Sequence, residues 1–353
     1  MQIPVVKTRG THYEVGHQIG LAARDSLRVM HSDTRASYGD HWLQFLEASQ
    51  PFLVATEKHL PRVVEETRGC ADGAEIPFDD LFLMSVEELL YEEVRGGTSP
   101  LSPLLREEGN NQGCSDLAAA LPATSDGHVW LAHNNDLKRR AQEHLFVTHF
   151  CADGEPEIIA VTVGGLFISI GFNRAGISLT GNQLYANDSR VGVPRLLVVR
   201  DILARDTFEN ALAAALLPER ASSYNNLIAS SNGQIVSVEG SASDYELIWA
   251  EGGVGFHTNH YLCDKMKRFE ASDSVPASTA RCARARDYAE KYRGEISREV
   301  CERFLRDHVY APWSVCKHSG SGVTVFSALI DLTEQQMWLT RGNPCLSEYE
   351  LVA

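Results

Sequence analysis

The chain has 353 residues, 44% of them hydrophobic and 22% charged, and carries a formal net charge of −15 at pH 7. A chain of this length buries a large core in two or three structural units, and the composition is globular rather than disordered or fibrous. The negative balance argues against nucleic acid or an anionic membrane surface as a partner, since both require basic patches.

No basic, then apolar leader opens the chain, and no apolar run approaches the roughly 20 residues of a membrane span, so a cytoplasmic protein is expected. The eight cysteines are scattered, with no CxxC and no His/Cys pair at metal-binding spacing. All but one are expected to be buried free thiols, and no metal site is expected.

Roughly the first hundred residues read as helical. Apolar positions recur every three or four residues across 13–30. Further helices are expected over 41–48 and after Pro51, with Phe52, Val54 and Leu60 facing inward. Gly69-Cys70-Ala71-Asp72-Gly73 interrupts the pattern, and Pro77-Phe78-Asp79-Asp80 restarts it as a helix running to Leu90. Residues 95–112, rich in Gly, Pro, Ser, Glu and Asn, read as an exposed loop.

Beyond Cys114 the periodicity turns to strand. Strands are expected over 128–133, 145–150, 158–163, 166–170 and 176–181. Two helices follow, over 194–203 and from the capping signal Asp206-Thr207-Phe208-Glu209 to Leu217. Strands at 226–230, 234–239, 246–250 and 255–257 precede helices at 278–293 and 297–308, and the last strands are 323–330 and 336–340. Runs of strands alternating with helical blocks predict an α+β fold, with two antiparallel sheets packed together and flanked by helices.

The chemistry centres on Asn110-Asn111-Gln112-Gly113-Cys114-Ser115-Asp116 and on the strand end His133-Asn134-Asn135-Asp136. A Gly-Cys pair in isolation is a turn followed by a small buried residue. If the thiol of Cys114 attacks its own preceding peptide bond, however, the product carries thiol and α-amine on one residue. An α-amine titrates at roughly 7.7–8.0, so it serves as general base for its own nucleophile without a histidine. Gly113, without a Cβ, suits the strained backbone such a rearrangement needs. Asp136 and Asn182 have ordinary readings as turn residues at strand ends, and His257 and His260 as packed or hydrogen-bonding histidines. Lys138-Arg139-Arg140 reads as a solvated loop in preference to an anion site.

Gly113-Cys114, Asn134-Asn135-Asp136, the run from Gly171 to Asn182, and His257-Thr258-Asn259-His260 follow one another in this order. With Gly69-Cys70-Ala71-Asp72-Gly73-Ala74, Thr324-Val325-Phe326-Ser327 and Gly342-Asn343-Pro344-Cys345, the chain resembles the acyl-coenzyme A:6-aminopenicillanate acyltransferase family of N-terminal-nucleophile hydrolases. The resemblance implies an αββα sandwich and self-cleavage between Gly113 and Cys114. It implies a helical segment 1–113 that stays bound to a chain 114–353, and action on a small-molecule acyl amide through a Cys114 thioester. It casts Cys114 as nucleophile, Asp136 as the carboxylate holding the new α-amine or orienting the scissile peptide, and Asn259 as oxyanion donor. Asn182 matches a second asparagine of the site, and Asn134, Asn135, His257 and His260 are candidate substrate contacts.

Two departures bear on substrate. Asn135 stands where an aromatic residue is common in the family, and residues 318–322 lack the arginine of penicillin- and bile-salt-processing members. A branch acting on β-alanyl or other acyl amides of small amines fits better. No cofactor is expected: coenzyme A as acyl donor has no phosphate-cradling loop or concentrated basic site to support it. Oligomeric state is open, a homo-oligomer included. Two other readings stand beside this one, a Cys-His peptidase without self-cleavage and a non-catalytic binding protein on the same scaffold.

Overall fold

The structure is a computed structural model that describes residues 2–92, 113–272, 275–320 and 322–353, with the side chains of 90–92 left aside. The loop expected over 95–112 lies outside the described residues.

The N-terminal part holds a short strand β1 (Val5–Lys7) and helices α1 (His12–Ala22), α2 (Arg24–Tyr38), α3 (Trp42–His59), α4 (Pro61–Ala74), α5 (Phe78–Ser85) and α6 (Glu87–Glu92). Then come β2 (Gly113–Ala119), β3 (Trp130–Leu137), β4 (Leu145–Phe150), β5 (Ile158–Val163), β6 (Phe167–Asn173) and β7 (Ile177–Asn182). Helices α7 (Arg195–Leu203) and α8 (Phe208–Ala215) lead to β8 (Tyr224–Ser230), β9 (Ile235–Gly240), β10 (Tyr245–Trp249) and β11 (Val254–His257). Helices α9 (Val275–Lys291) and α10 (Arg298–Leu305) precede β12 (Val323–Asp331), β13 (Gln336–Arg341) and β14 (Glu350–Leu351).

Among the described residues the strands form two sheets, ordered β1-β4-β5-β6-β7-β8-β9-β10 and β11-β2-β3-β12-β13-β14. All pairings are antiparallel except β1 with β4. Strand side chains alternate between faces, and the alternation sorts the apolar residues into three layers. Val147, Ile159, Val161, Phe172 and Leu227 of the first sheet meet Ala118, Leu131, Val325, Ala328 and Ile330 of the second. The outer face of the first sheet packs Phe146, Ile158, Ala160, Ile177 and Leu179 against the N-terminal helices with α7 and α8. The outer face of the second packs Leu117, Ala119, Trp130 and Ala132 against α9 and α10. The layer order is therefore helix, sheet, sheet, helix, the expected αββα sandwich.

Several local expectations are corrected. Gly69 and Gly73 do not break a helix but lie inside α4, where they face Gly16 and Gly20 of α1. A Cβ on Gly16 would sit 1.8 Å from the Glu66 carbonyl oxygen, and one on Gly69 would sit 2.0 Å from that of Tyr13. Only glycine permits so close a backbone approach. Helix α3 continues through Pro51, because Phe45, Phe52 and Leu53 bury both halves against one core at the cost of one helical hydrogen bond. Val54 points outward and is 65% exposed, whereas Phe52 and Leu60 are buried as expected. The helix expected to reach Leu90 divides at Val86 into α5 and α6. Among the described residues no helix is long and apolar enough to cross a membrane.

A buried charge cluster ties the N-terminal helices to the sheets. Arg200 on α7 donates to both Glu66 carboxylate oxygens at 3.0 and 2.8 Å and to Glu155, in the β4–β5 turn, at 2.9 Å. His12 on α1 lies 3.6 Å from Glu66 and 3.3 Å from Glu155. Burial alone would lower the His12 pKa, but the two carboxylates raise it to about 9. Two anions and two cations thus neutralise one another out of water. A histidine whose pKa is raised by folding contributes stability that is complete below its ordinary value of roughly 6.5 and is lost as pH rises through the folded value. We expect wild-type stability, measured by urea unfolding, to decline between about pH 6.5 and 9. His12→Gln should lose on the order of 2 kcal/mol at the acid end of that window and show a flatter profile across it.

Candidate active site

Strand β2 lies between β11 and β3, with Cys114 opposite Asn135 and Gly113 opposite Asp136. The two-residue period sends Cys114, Asp116, His133 and Asn135 toward the other sheet, and Gly113, Ser115, Asn134 and Asp136 toward α9 and α10. The thiol and the groups that hold the main chain are therefore on opposite sides of one strand.

On the helix side, the Cys114 main-chain nitrogen donates to Asn259 Oδ1 at 2.8 Å. The buried guanidinium of Arg281 on α9 donates to the Cys114 carbonyl at 2.6 Å and to Asn259 Oδ1 at 3.1 and 3.0 Å. Three donors around one atom identify it as the amide oxygen. Asn259 Nδ2 donates to the Gln183 carbonyl at 3.0 Å. Asn259 thus presents an acceptor to the nitrogen of Cys114 and spends one amide hydrogen on the Gln183 carbonyl.

Asp136 accepts from Thr324 Oγ1 at 2.8 Å, and its Oδ2 has no hydrogen-bond partner among the described residues. Burial raises its pKa, opposed by the charges of Arg281 and Lys317. Burial likewise lowers the Arg281 and Lys317 values, opposed by Asp136. A Cβ on Gly113 would lie 2.9 Å from Arg281 Nη2 and 3.2 Å from Asp136 Oδ2. A side chain at 113 would have to displace the end of Arg281 and crowd the Asp136 carboxylate.

On the other side, Cys114 opens into a cavity of about 330 Å³. Its walls come from α2 (Met30, Asp33, Tyr38), from α5 and α6 (Met84, Glu87) and from the sheets (Asn135, Phe167, Tyr224). Lys138 and Arg140, assigned above to a solvated loop, also line it, and Arg140 pairs with Asp33 at 2.9 Å. Arg195 on α7 bonds Glu87 and Gln183 and stacks over Tyr224 with 4.7 Å to the ring centre. Asn135 Nδ2 donates to Ser169 on the facing sheet at 2.7 Å.

The remaining candidates divide. Asn182 faces the space between the sheets. Its Oδ1 accepts from Asn225 at 2.9 Å, and its Nδ2 has no hydrogen-bond partner among the described residues. None of Asn182, Asn134, His257 and His260 is among the residues that line the cavity. Asn134 points to the helix side and donates to the carbonyls of Leu305 and Val315 at 2.8 and 3.0 Å. His257 is fully buried between Glu239 at 2.7 Å and the Thr258 carbonyl at 2.6 Å. His260 is 2.7 Å from Ser278 Oγ, and burial followed by the His257 charge lowers its pKa to about 4, so it is neutral.

Sequence reasoning missed Arg281, one of three closely spaced arginines on α9, because nothing in the run distinguishes the buried one. It also missed the pairing of His133 with Asp116, 2.6 Å apart and fully buried, although opposite positions on neighbouring strands were the available signal.

A family model described as acyl-coenzyme A:6-aminopenicillanic acid acyl-transferase matches residues 123–345. The chain belongs to that family. It is accordingly an enzyme of the amidohydrolase and acyltransferase class. It is 22% identical to an acyl-coenzyme A:6-aminopenicillanic-acid-acyltransferase 40 kDa form of Emericella nidulans, over 96% of this chain and 92% of that protein. It is 23% identical to a beta-alanyl-dopamine/carcinine hydrolase of Drosophila melanogaster, over 98% and 94% of the two chains. Among solved structures it is similar to a Caenorhabditis elegans N-acylethanolamine-hydrolyzing acid amidase ortholog, with a TM-score of 0.46 and 15% identity over 62% of this chain and 93% of that one. The family match begins after Cys114, so the part this cysteine plays rests on its surroundings.

Burial opposes a charge on His133, but Asp116 and the neighbouring Cys114 sulfur raise its pKa to about 10. Asp116 and Cys114 thus favour the imidazolium form of His133 at neutral pH. By nitrogen-15 NMR of labelled histidine, His133 should stay doubly protonated through neutral pH. In Asp116→Asn, where burial acts with the anion gone, it should titrate several units lower.

Proposed function

We infer that this enzyme is an N-terminal-nucleophile amidohydrolase or acyltransferase, activated by cleavage of its own Gly113–Cys114 bond. The observation that carries the reading is that a buried asparagine and arginine hold the main chain of Cys114 as well as leaving its thiol facing a cavity. A nucleophile that uses only its side chain has no need of such a grip on its own nitrogen.

In the precursor, Cys114 Sγ attacks the Gly113 carbonyl carbon, and the C–N bond breaks as the thiol proton passes to the departing nitrogen. Water then hydrolyses the Gly113 thioester, leaving a carboxylate on Gly113 and a free α-amine on Cys114. Asp136, opposite Gly113, is placed to offset the charge of that amine when protonated. Asn259 Oδ1, held by Arg281, orients its hydrogens and leaves the nitrogen lone pair for the thiol proton. Attack on a substrate amide then forms a thioester on Cys114, and the protonated amine of the substrate leaves. Water or a second amine resolves the thioester. Asn182 Nδ2, a buried donor without a hydrogen-bond partner among the described residues, adjoins Gln183, which lines the cavity, and it suits the developing oxyanion.

Because α2, α5 and α6 wall the cavity, and the His12–Glu66–Glu155–Arg200 cluster ties their layer to the sheets, segment 1–113 must remain bound after cleavage. The cavity suits a compact acyl amide with an apolar portion against Met30, Met84 and Phe167 and a polar portion near the charged rim. Amides of small amines, the class named for the Drosophila relative, are the first to test.

A Cys-His peptidase reading has one observation in its favour, the nearness of His133 to Cys114, but it gives no reason for Asn259 and Arg281 to hold the main-chain nitrogen and carbonyl of Cys114. Denaturing mass spectrometry should find fragments 1–113 and 114–353 in the wild type and one full-length chain in Cys114→Ala. A full-length wild type that releases amine from acyl amides would sink the self-cleavage reading. In Asn182→Ala, kcat should fall by about 10²–10³ with cleavage still complete, as expected on losing one oxyanion donor.

A further inference from the structure

Away from the cavity, four side chains converge that neither the fold nor the reaction uses. They are His308, in the chain leaving α10, Cys316 and His318, before β12, and Cys345, after β13. Nothing in their spacing along the sequence announced a site. Their ligand atoms all lie within 4.8 Å of one another. His308 Nε2 and His318 Nε2 are 3.0 Å apart, and the two sulfurs are 3.6 Å apart. His318 Nε2 is 3.5 Å from Cys316 Sγ and 3.2 Å from Cys345 Sγ.

Zinc binds sulfur at about 2.3 Å and imidazole nitrogen at about 2.0–2.1 Å, so the edges of a tetrahedral two-cysteine, two-histidine site are roughly 3.3–3.8 Å. The four separations just given match those edges to within a few tenths of an ångström, and the two from His308 to the sulfurs are within 4.8 Å. The sulfurs are too far apart for a disulfide, whose bond is about 2.05 Å, and both cysteines are free thiols. A hydrogen-bond network does not account for the arrangement, since one shared proton satisfies two imidazole nitrogens and leaves two thiols with little reason to gather round them. Two thiolates, two neutral imidazoles and a dication sum to zero charge, which suits a site whose Cys316 is buried. Exposure of both histidines gives an ion a way in. The next shell is also present: Asn343 Nδ2 donates to Cys316 Sγ at 3.5 Å and to the Lys317 carbonyl at 2.8 Å.

We propose that His308, Cys316, His318 and Cys345 form a closed structural zinc site that staples the α10–β12 connection to the loop after β13. That connection reaches the catalytic layer. The Val315 carbonyl accepts from Asn134, and the Lys317 nitrogen donates to Thr324 Oγ1 at 2.9 Å, which in turn donates to Asp136. The ion therefore positions the support of Asp136 and takes no part in the chemistry, having no open coordination position.

The test uses full-length protein prepared without a histidine tag or chelator and dialysed against dilute zinc chloride under reducing conditions. Elemental analysis should find about one zinc per chain, and zinc should protect two thiols from alkylation until a chelator is added. Cobalt exchange should give thiolate-to-metal charge-transfer bands and the visible bands of a tetrahedral ion. Cys345→Ser and His318→Ala should each lose most of the metal and melt at a lower temperature. Wild-type protein free of zinc after dialysis, equal metal content in the wild type and both variants, or a Cys316–Cys345 disulfide in freshly isolated protein would each overturn the proposal. The wild-type thiol-protection and cobalt measurements decide the matter even if a variant fails to fold.

Discussion

Arg281 is a guanidinium without access to water, and leaving such a charge unpaired costs several kcal/mol. Its hydrogens go to the Cys114 carbonyl, to Asn259 Oδ1 and, at 3.3 Å, to Ser115 Oγ, with Asp136 supplying the nearest negative charge. Because those donors can only meet an oxygen, they settle which way Asn259 turns. That orientation in turn presents an acceptor to the Cys114 nitrogen. One buried cation thus orders the main chain of β2, the asparagine after β11 and the carboxylate on β3.

Strand geometry does the rest of the sorting. Adjacent residues of a strand face opposite sides, so Cys114 and Asn135 enter the cavity while Gly113 and Asp136 face the helices. A slip of one residue between β2 and β3 would exchange the two sets and place the thiol against α9. The register is secured by burial, since the same parity puts Ala118 and Leu131 between the sheets and Leu117 and Ala132 under α9 and α10. Packing of the sandwich and placement of the nucleophile are one constraint.

The two halves of the chain are interdependent for different physical reasons. Glycine-to-glycine contact brings α1 and α4 together closely enough for His12 and Glu66 to share the cluster with Glu155 and Arg200. The same helical layer then supplies α2, α5 and α6 as a wall of the cavity. At the other end, the α10–β12 connection supports Asp136 through Thr324 and Lys317, and the gathered cysteines and histidines tie it to the chain after β13.

Much of this was legible in the amino-acid sequence. Strands β4 and β5 stand at the bounds expected for them, because short β-branched runs between turn residues have few other uses. Helices α7 and α8 begin where Pro194 and Thr207 signal them. The order of strand and helix blocks determined the four layers, and the recurring motifs determined the family. What local pattern could not show was contact between distant segments. Gly69 and Gly73 read as a helix break until α1 supplied the partner backbone, and Val54 read as buried until the direction of α3 was known. That the Asn259 oxygen meets the Cys114 nitrogen became visible only with Arg281, 22 residues further on, which turns that oxygen inward. His308 and Cys345 read as unrelated until β12 and β13 brought them together. Sequence records the chemistry each residue can perform, whereas partner and face follow from packing between elements far apart in the chain.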